Sequence, residues 1–129
     1  MTVRLVAAVA VLVSAGVHLD LWIDGMRDLH VVGPAFLLNA VGGVVIAALL
    51  VWWRSWLAPL VAAGFGASTL GAFTIATTGA GLFGDHEKWQ GPYVWTAAAA
   101  EAVAIVAGLY AVSRERRPAA LVEHAPVRV

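Results

Sequence analysis

The sequence predicts an all-α fold, a four-helix transmembrane bundle with both termini in the cytoplasm. Hydrophobic residues make up 61% of the 129 residues and charged residues only 12%, whereas an average soluble domain has roughly half and a quarter. The mean hydropathy is +0.84, and a short chain has too little interior to bury that much apolar surface in water. The apolar residues form four nearly uncharged stretches of about 20 residues, the length that crosses a bilayer core; they cover about 5–22, 33–53, 56–78 and 93–112.

Prolines and glycines indicate where these stretches begin and end. Pro34, Pro59 and Pro92 each lie near a predicted helix start, where the missing N–H of proline costs little. The third stretch has no charge until Asp85, but the glycines at positions 79, 81 and 84 favour a turn after about residue 78. Because every backbone polar group in lipid must be paired internally, each stretch is predicted to be a helix.

The two ends of the chain are interpreted separately from the spans. Residues 118–129 are rich in Ala, Pro and Val and lack a helical pattern, so we expect one membrane domain over 1–117 followed by a flexible cytoplasmic tail. At the other end, Arg4, an apolar run and the small residues 13–15 are also typical of a signal peptide. The apolar run continues to Trp22, which favours a retained span, and cleavage stays open as the alternative.

The charges are distributed unequally between the two sides of the predicted bundle. One side carries a single arginine and a single lysine, and the side with both termini carries six arginines: Arg4, Arg54, Arg114, Arg116, Arg117 and Arg128. This asymmetry predicts that both termini are cytoplasmic, in a bacterial inner membrane. Eight basic residues balance eight acidic ones, so no positive excess favours nucleic acid as a partner. Cysteine is absent, which excludes disulfides, thiol chemistry and iron–sulfur ligation.

Each predicted span carries one polar residue near the same depth. At 1.5 Å per residue, His18, Asn39, Thr74 and Glu101 lie roughly 6 to 12 Å below the outer ends of their helices. The sequence therefore predicts a polar layer in the outer leaflet, with one hydrogen-bonding group from each helix.

Small residues recur at helical spacing on every predicted span. In lipid, helices associate through close contact of such residues, so these stripes are predicted to face the interior of the bundle. On the third span the stripe includes Ala67 and Ser68 beside two glycines. The residues predicted to bring helix backbones together are Gly42, Gly43, Gly64, Gly71, Ala104 and Gly108.

Two groups of residues suggest chemistry, and each has a structural alternative. Glu101 is an acid within a span, which is a candidate for proton or ion handling, or else a protonated side chain that hydrogen-bonds between helices. His18, His30 and His86 are candidate ligands of haem or a transition metal. Their spacing matches no established metal motif, and a neutral imidazole hydrogen-bonded to Ser14 or Asn39 is the alternative for His18.

Three segments suggest a resemblance to known membrane proteins. Gly16-Val-His-Leu-Asp-Leu-Trp22, Gly33-Pro-Ala-Phe-Leu-Leu-Asn-Ala40 and Gly81-Leu-Phe-Gly84 resemble segments of uncharacterised four-span membrane proteins of high-GC bacteria. The chain is also similar in size and layout to the DoxX-like proteins. These resemblances imply a four-span bundle and carry no assigned activity.

The sequence favours a non-enzymatic function. It contains no recognisable motif of a Ser/His/Asp catalytic triad, no paired carboxylates at a spacing typical of acid–base catalysis, and no thiol. We therefore expect an accessory or interaction protein of the lipid bilayer, which packs against another membrane protein or a second copy of itself. The alternatives are a haem- or metal-binding redox protein that uses the outer-face histidines, and a proton-coupled small transporter or channel that uses Glu101.

Overall fold

Four long helices make up most of the chain in a computed structural model, which describes residues 1–117. They are α1 (Thr2–Ile23), α2 (Val32–Trp52), α3 (Leu57–Ala76) and α4 (Pro92–Glu115), with a short 3-10 helix at Met26–Asp28. All four are long and apolar enough to cross a membrane. The predicted all-helical, four-span fold is therefore confirmed, and the predicted tail over 118–129 lies outside the described residues.

The helix boundaries have local causes. Pro92 occupies the first turn of α4 and follows Gly91, whose φ of 87° is a left-handed conformation that glycine adopts without steric cost. The turn between α2 and α3 is short, because Trp53 already has an extended backbone and Trp56 is the N-cap of α3. This turn returns the chain directly into the apolar layer.

Helices α1 and α4 form the centre of the bundle. Helix α1 packs along α2 and α4, and α4 packs along α1 and α3, whereas α2 and α3 share few contacts although a tight turn joins them. The buried core between the helices consists largely of alanines, with Val11, Ile46 and Leu50 as its larger members. Small core residues allow the helix backbones to approach closely, which is the main source of helix association in lipid.

Three glycines mark the points where the four long helices approach one another most closely. A Cβ on Gly43 would lie 2.7 Å from the Cβ of Ala15, and a Cβ on Gly108 would lie 2.6 Å from the carbonyl oxygen of Pro59. The third is Gly66, where a Cβ would lie 2.6 Å from the carbonyl oxygen of Glu101. Close contact thus occurs between α1 and α2 once and between α3 and α4 twice.

The predicted stripe on the third span lies on a different side of the helix than expected. On this helix, a Cβ on Gly64 or Gly71 would meet no atom within 4 Å, and Ala67 and Ser68 are exposed. The same holds for a Cβ on Gly42 of α2, so Gly42 is not a point of close approach either. The structure therefore places the close approach of α3 at Gly66, whereas Gly64 and Gly71 point away from the other helices. The predicted packing residues Gly43 and Gly108 lie at the close approaches described above. Ala104 also lies in a helix contact, because it is buried and its Cβ is 3.4 Å from a Cβ built on Gly66.

The loop between α3 and α4 folds back over the ends of these helices. The backbone N–H of Glu87 donates to the carbonyl of Ala76, and the Trp89 ring contacts Phe73 edge-on at a centroid distance of 4.7 Å. Trp95 of α4 extends this aromatic group, 5.4 Å from Trp89. The loop is thus fixed by aromatic contacts at one end of the bundle.

Candidate functional site

A buried carboxyl group joins α4 to α1 inside the bundle. Glu101 is only 2% exposed and Ser14 is fully buried. The Ser14 hydroxyl donates a hydrogen bond to Oε1 of Glu101 at 3.0 Å. Within the part of the chain that the structure describes, Oε2 of Glu101 has no hydrogen-bond partner. The site therefore holds one satisfied and one free carboxyl oxygen.

His18 extends this contact toward the end of α1. Its Nδ1 donates to the carbonyl oxygen of Ser14 at 2.8 Å and lies 3.5 Å from the Ser14 hydroxyl. Because Nδ1 carries the hydrogen, Nε2 of the neutral ring is an acceptor, and it has no partner among residues 1–117. The ring also packs against Phe36 of α2, with centroids 4.9 Å apart. We call Ser14, His18 and Glu101 the polar cluster.

A second polar contact joins α2 to α3. Nδ2 of Asn39 donates to the Thr69 hydroxyl at 2.8 Å, and this hydroxyl donates in turn to the Phe65 carbonyl at 2.9 Å. Oδ1 of Asn39 is buried without a hydrogen-bond partner in the described structure. The Asn39–Thr69 pair is the main polar link between two helices that otherwise share little contact.

The residues of the predicted layer are therefore distributed over separate contacts. His18 and Glu101 both contact Ser14, while Asn39 pairs with Thr69. Thr74 is exposed and donates to the Leu70 carbonyl of its own helix at 2.7 Å, so no other helix receives its hydroxyl. Ser14 and Thr69 are the contact residues that the predicted layer did not include. Each is a hydroxyl residue within an apolar span, and this feature of the sequence could have identified Ser14 and Thr69 as candidates.

In the described part of the chain, the candidate metal ligands are not clustered with other side chains that could bind a metal. His30 is exposed, and Nδ1 of the exposed His86 is 3.3 Å from the Thr78 carbonyl oxygen in the loop after α3. Residues 1–117 contain no group of three or more His, Cys, Asp or Glu side chains that could hold a metal ion. Haem or metal binding by His18, His30 or His86 stays a prediction.

The other end of the bundle holds a buried arginine. Arg4 of α1 is 9% exposed, and its Nε donates to the Leu50 carbonyl of α2 at 2.9 Å. Nη2 donates to the Trp53 carbonyl, and Nη1 forms an ion pair with Glu115 of α4 at 2.8 Å. Arg4 thus connects three helices and satisfies carbonyls at the end of α2 that no intrahelical N–H reaches.

Comparison with protein-family models, with curated proteins and with solved structures finds no match to this chain. The four apolar helices define a small multi-pass membrane protein.

Proposed function

We propose that the chain is an accessory or interaction protein of a bacterial inner membrane. Its partner is a second copy of the same chain, against which it packs through α3. The observation that supports this most directly is the small face of α3, which we define as Gly64, Ala67, Ser68 and Gly71. These residues share one side of α3. Gly64, Ala67 and Ser68 are exposed, and a Cβ added to Gly71 would meet no atom within 4 Å.

The small face differs from the outer surfaces of α1 and α2. These two helices expose Val and Leu residues over most of their length, whereas α3 exposes no large hydrophobic residue between Val61 and Ile75. The Ser68 hydroxyl is already satisfied by the Phe65 carbonyl of the same helix at 3.0 Å. A helix surface of this kind permits close backbone contact with a second helix in lipid.

Within one copy, we propose that the polar contacts fix the relative positions of the helices as a polar layer. Ser14 and Glu101 are each nine residues from the helix ends Ile23 and Pro92, about 13 Å deep on the same side of the bundle. Asn39 and Thr69 are each seven residues from their helix ends, about 10 Å deep. Polar pairs at matched depths disfavour sliding of one helix along another. The arginine asymmetry of the sequence supports cytoplasmic termini in this arrangement.

The proposed self-association is tested by replacing Gly71 with leucine. We expect Gly71→Leu to weaken association in liposomes roughly five- to thirtyfold, because lost interhelical contacts in lipid are worth about 1–2 kcal/mol. Energy transfer between donor- and acceptor-labelled copies at varied protein density measures the association. Gly16→Leu on α1 is the matched control, since a Cβ at Gly16 also meets nothing within 4 Å. A chain that stays monomeric at every density, or equal association of the two variants, would contradict the proposal.

A second candidate function is proton handling by Glu101, and the hydrogen bond from Ser14 together with the free Oε2 supports it. We expect Glu101→Gln to abolish any proton flux of the purified chain in liposomes, because glutamine accepts the Ser14 hydrogen bond but cannot exchange a proton. A pH-sensitive dye enclosed in the liposomes measures the flux. Glu87→Gln in the loop after α3 is the control. Equal flux in the parent chain and in Glu101→Gln would exclude this function.

A further inference from the structure

A cavity of about 580 Å³ opens at the end of the bundle that holds Arg4. It lies where α1, the turn between α2 and α3, and the end of α4 meet, and Arg54, Trp56 and Glu115 contribute to its lining. Its volume falls within the range of about 300–1,000 Å³ that is typical of small-molecule sites. The polar cluster and the small face of α3 are not part of it.

The charges around this cavity are unbalanced. The charge of Arg4 is offset by Glu115, and Arg4–Glu115 is the only ion pair within residues 1–117. The guanidinium of Arg4 is further engaged by the carbonyls of Leu50 and Trp53. Arg54 lines the cavity without an acidic partner in the described chain. The cavity therefore has a net positive charge beyond its internal ion pair.

A second unbalanced cation contacts a residue of the cavity lining. The guanidinium carbon of Arg116 lies 4.4 Å from the centre of the Trp56 ring, and Trp56 lines the cavity; this cation–π contact orients the Arg116 side chain. Trp56 belongs to the group of Trp52, Trp53 and Trp56 at this end of α2 and α3, and tryptophan is enriched at the boundary between lipid and water. Two arginines thus stand at the level where lipid headgroups lie.

We propose that this cavity binds a phosphate group through Arg54 of its lining and through Arg116, which the contact with Trp56 holds next to the lining. The planar guanidinium forms paired hydrogen bonds with phosphate oxygens, and basic pockets between membrane helices are suited to anionic headgroups. The phosphodiester of an anionic lipid and free inorganic phosphate share this chemistry, and the experiment below separates them.

The test measures the unfolding midpoint of the full chain in neutral detergent as phosphatidylglycerol, phosphatidylcholine or inorganic phosphate is added. A ligand that binds only the folded chain raises this midpoint. We expect phosphatidylglycerol to stabilise the chain and phosphatidylcholine to have no effect. The double variant Arg54→Gln, Arg116→Gln should bind phosphatidylglycerol roughly thirtyfold more weakly, since each arginine near an anionic surface contributes about one kilocalorie per mole.

Two further variants separate the cavity from general charge attraction. Arg27→Gln removes an exposed arginine at the opposite end of the bundle and should leave binding unchanged. Arg54→Lys keeps the charge but loses the guanidinium fork, and we expect a partial loss of affinity. Stabilisation by inorganic phosphate with the same dependence on Arg54 and Arg116 would support the site with a soluble ligand. Equal effects of the two lipids, or an equal loss in Arg27→Gln and the double variant, would overturn the proposal.

Discussion

Replacement of Arg4 by leucine is expected to lower the free energy of unfolding in detergent by about 3 kcal/mol. The substitution leaves the carbonyls of Leu50 and Trp53 without their donors and leaves Glu115 without its counter-ion. Removing one partner of a fully buried ion pair costs roughly 3–5 kcal/mol. We place the expected value at the lower end of that range because Glu115 is 29% exposed and solvent screens its charge.

Unfolding by increasing SDS in a neutral detergent measures the Arg4 effect. Arg4→Lys keeps the positive charge but has fewer donors at fixed positions, so its destabilisation should fall between those of the parent chain and Arg4→Leu. Arg27→Leu is the control, since Arg27 is exposed and makes no side-chain hydrogen bond within residues 1–117. If Arg4→Leu and Arg27→Leu unfold at the same SDS fraction, the contacts of Arg4 do not contribute to stability.

The four helices could be predicted from the sequence because spanning a membrane is a property of each segment alone. Length and the absence of charge decide whether a segment such as 33–53 can cross lipid, and neither depends on its neighbours. The structure places the second helix at Val32–Trp52. The third helix ends at Ala76, ahead of the glycines that indicated a turn.

The inward face of α3 could not be predicted, because this helix carries two sets of small residues. One set contains Ala62, Ala63 and Gly66 and is buried; the other is the small face, which is uncovered. Both have the spacing and the composition that favour helix contact. Which one packs depends on the position of α4 relative to α3, and that position is a property of the whole bundle.

The partners of Glu101 and Asn39 could not be predicted from the sequence. Ser14, Glu101 and Asn39 are buried or half-buried within their helices. The partner depends on how far each helix is rotated about its axis, which decides that Glu101 contacts Ser14. The burial of Arg4 could not be predicted either. In the sequence Arg4 is a positive charge that indicates sidedness, whereas its burial depends on the position of the carbonyls of Leu50 and Trp53 at the end of α2.

Substitution of Gly66 by alanine is expected to lower the free energy of unfolding by about 2 kcal/mol, within the range for overpacking a close contact. The added Cβ would lie 2.6 Å from the carbonyl oxygen of Glu101 and 3.0 Å from Cγ1 of Ile105. The first of these is a backbone atom in a helix, so α3 and α4 must separate. That separation also displaces the backbone that carries the Glu101 side chain toward Ser14.

The matched control for Gly66 lies two residues earlier on the same helix. Gly64→Ala introduces the same methyl group, but a Cβ at Gly64 meets nothing within 4 Å. Alanine is also favoured over glycine inside a helix by about 0.5–1 kcal/mol, so Gly64→Ala should be neutral or slightly stabilising. SDS titration of both variants in detergent gives the comparison. A pair of equal unfolding midpoints would mean that α3 does not approach α4 through Gly66. Destabilisation by Gly66→Ala, together with a neutral or slightly stabilising Gly64→Ala, would show that α3 packs on α4 through the face that carries Gly66.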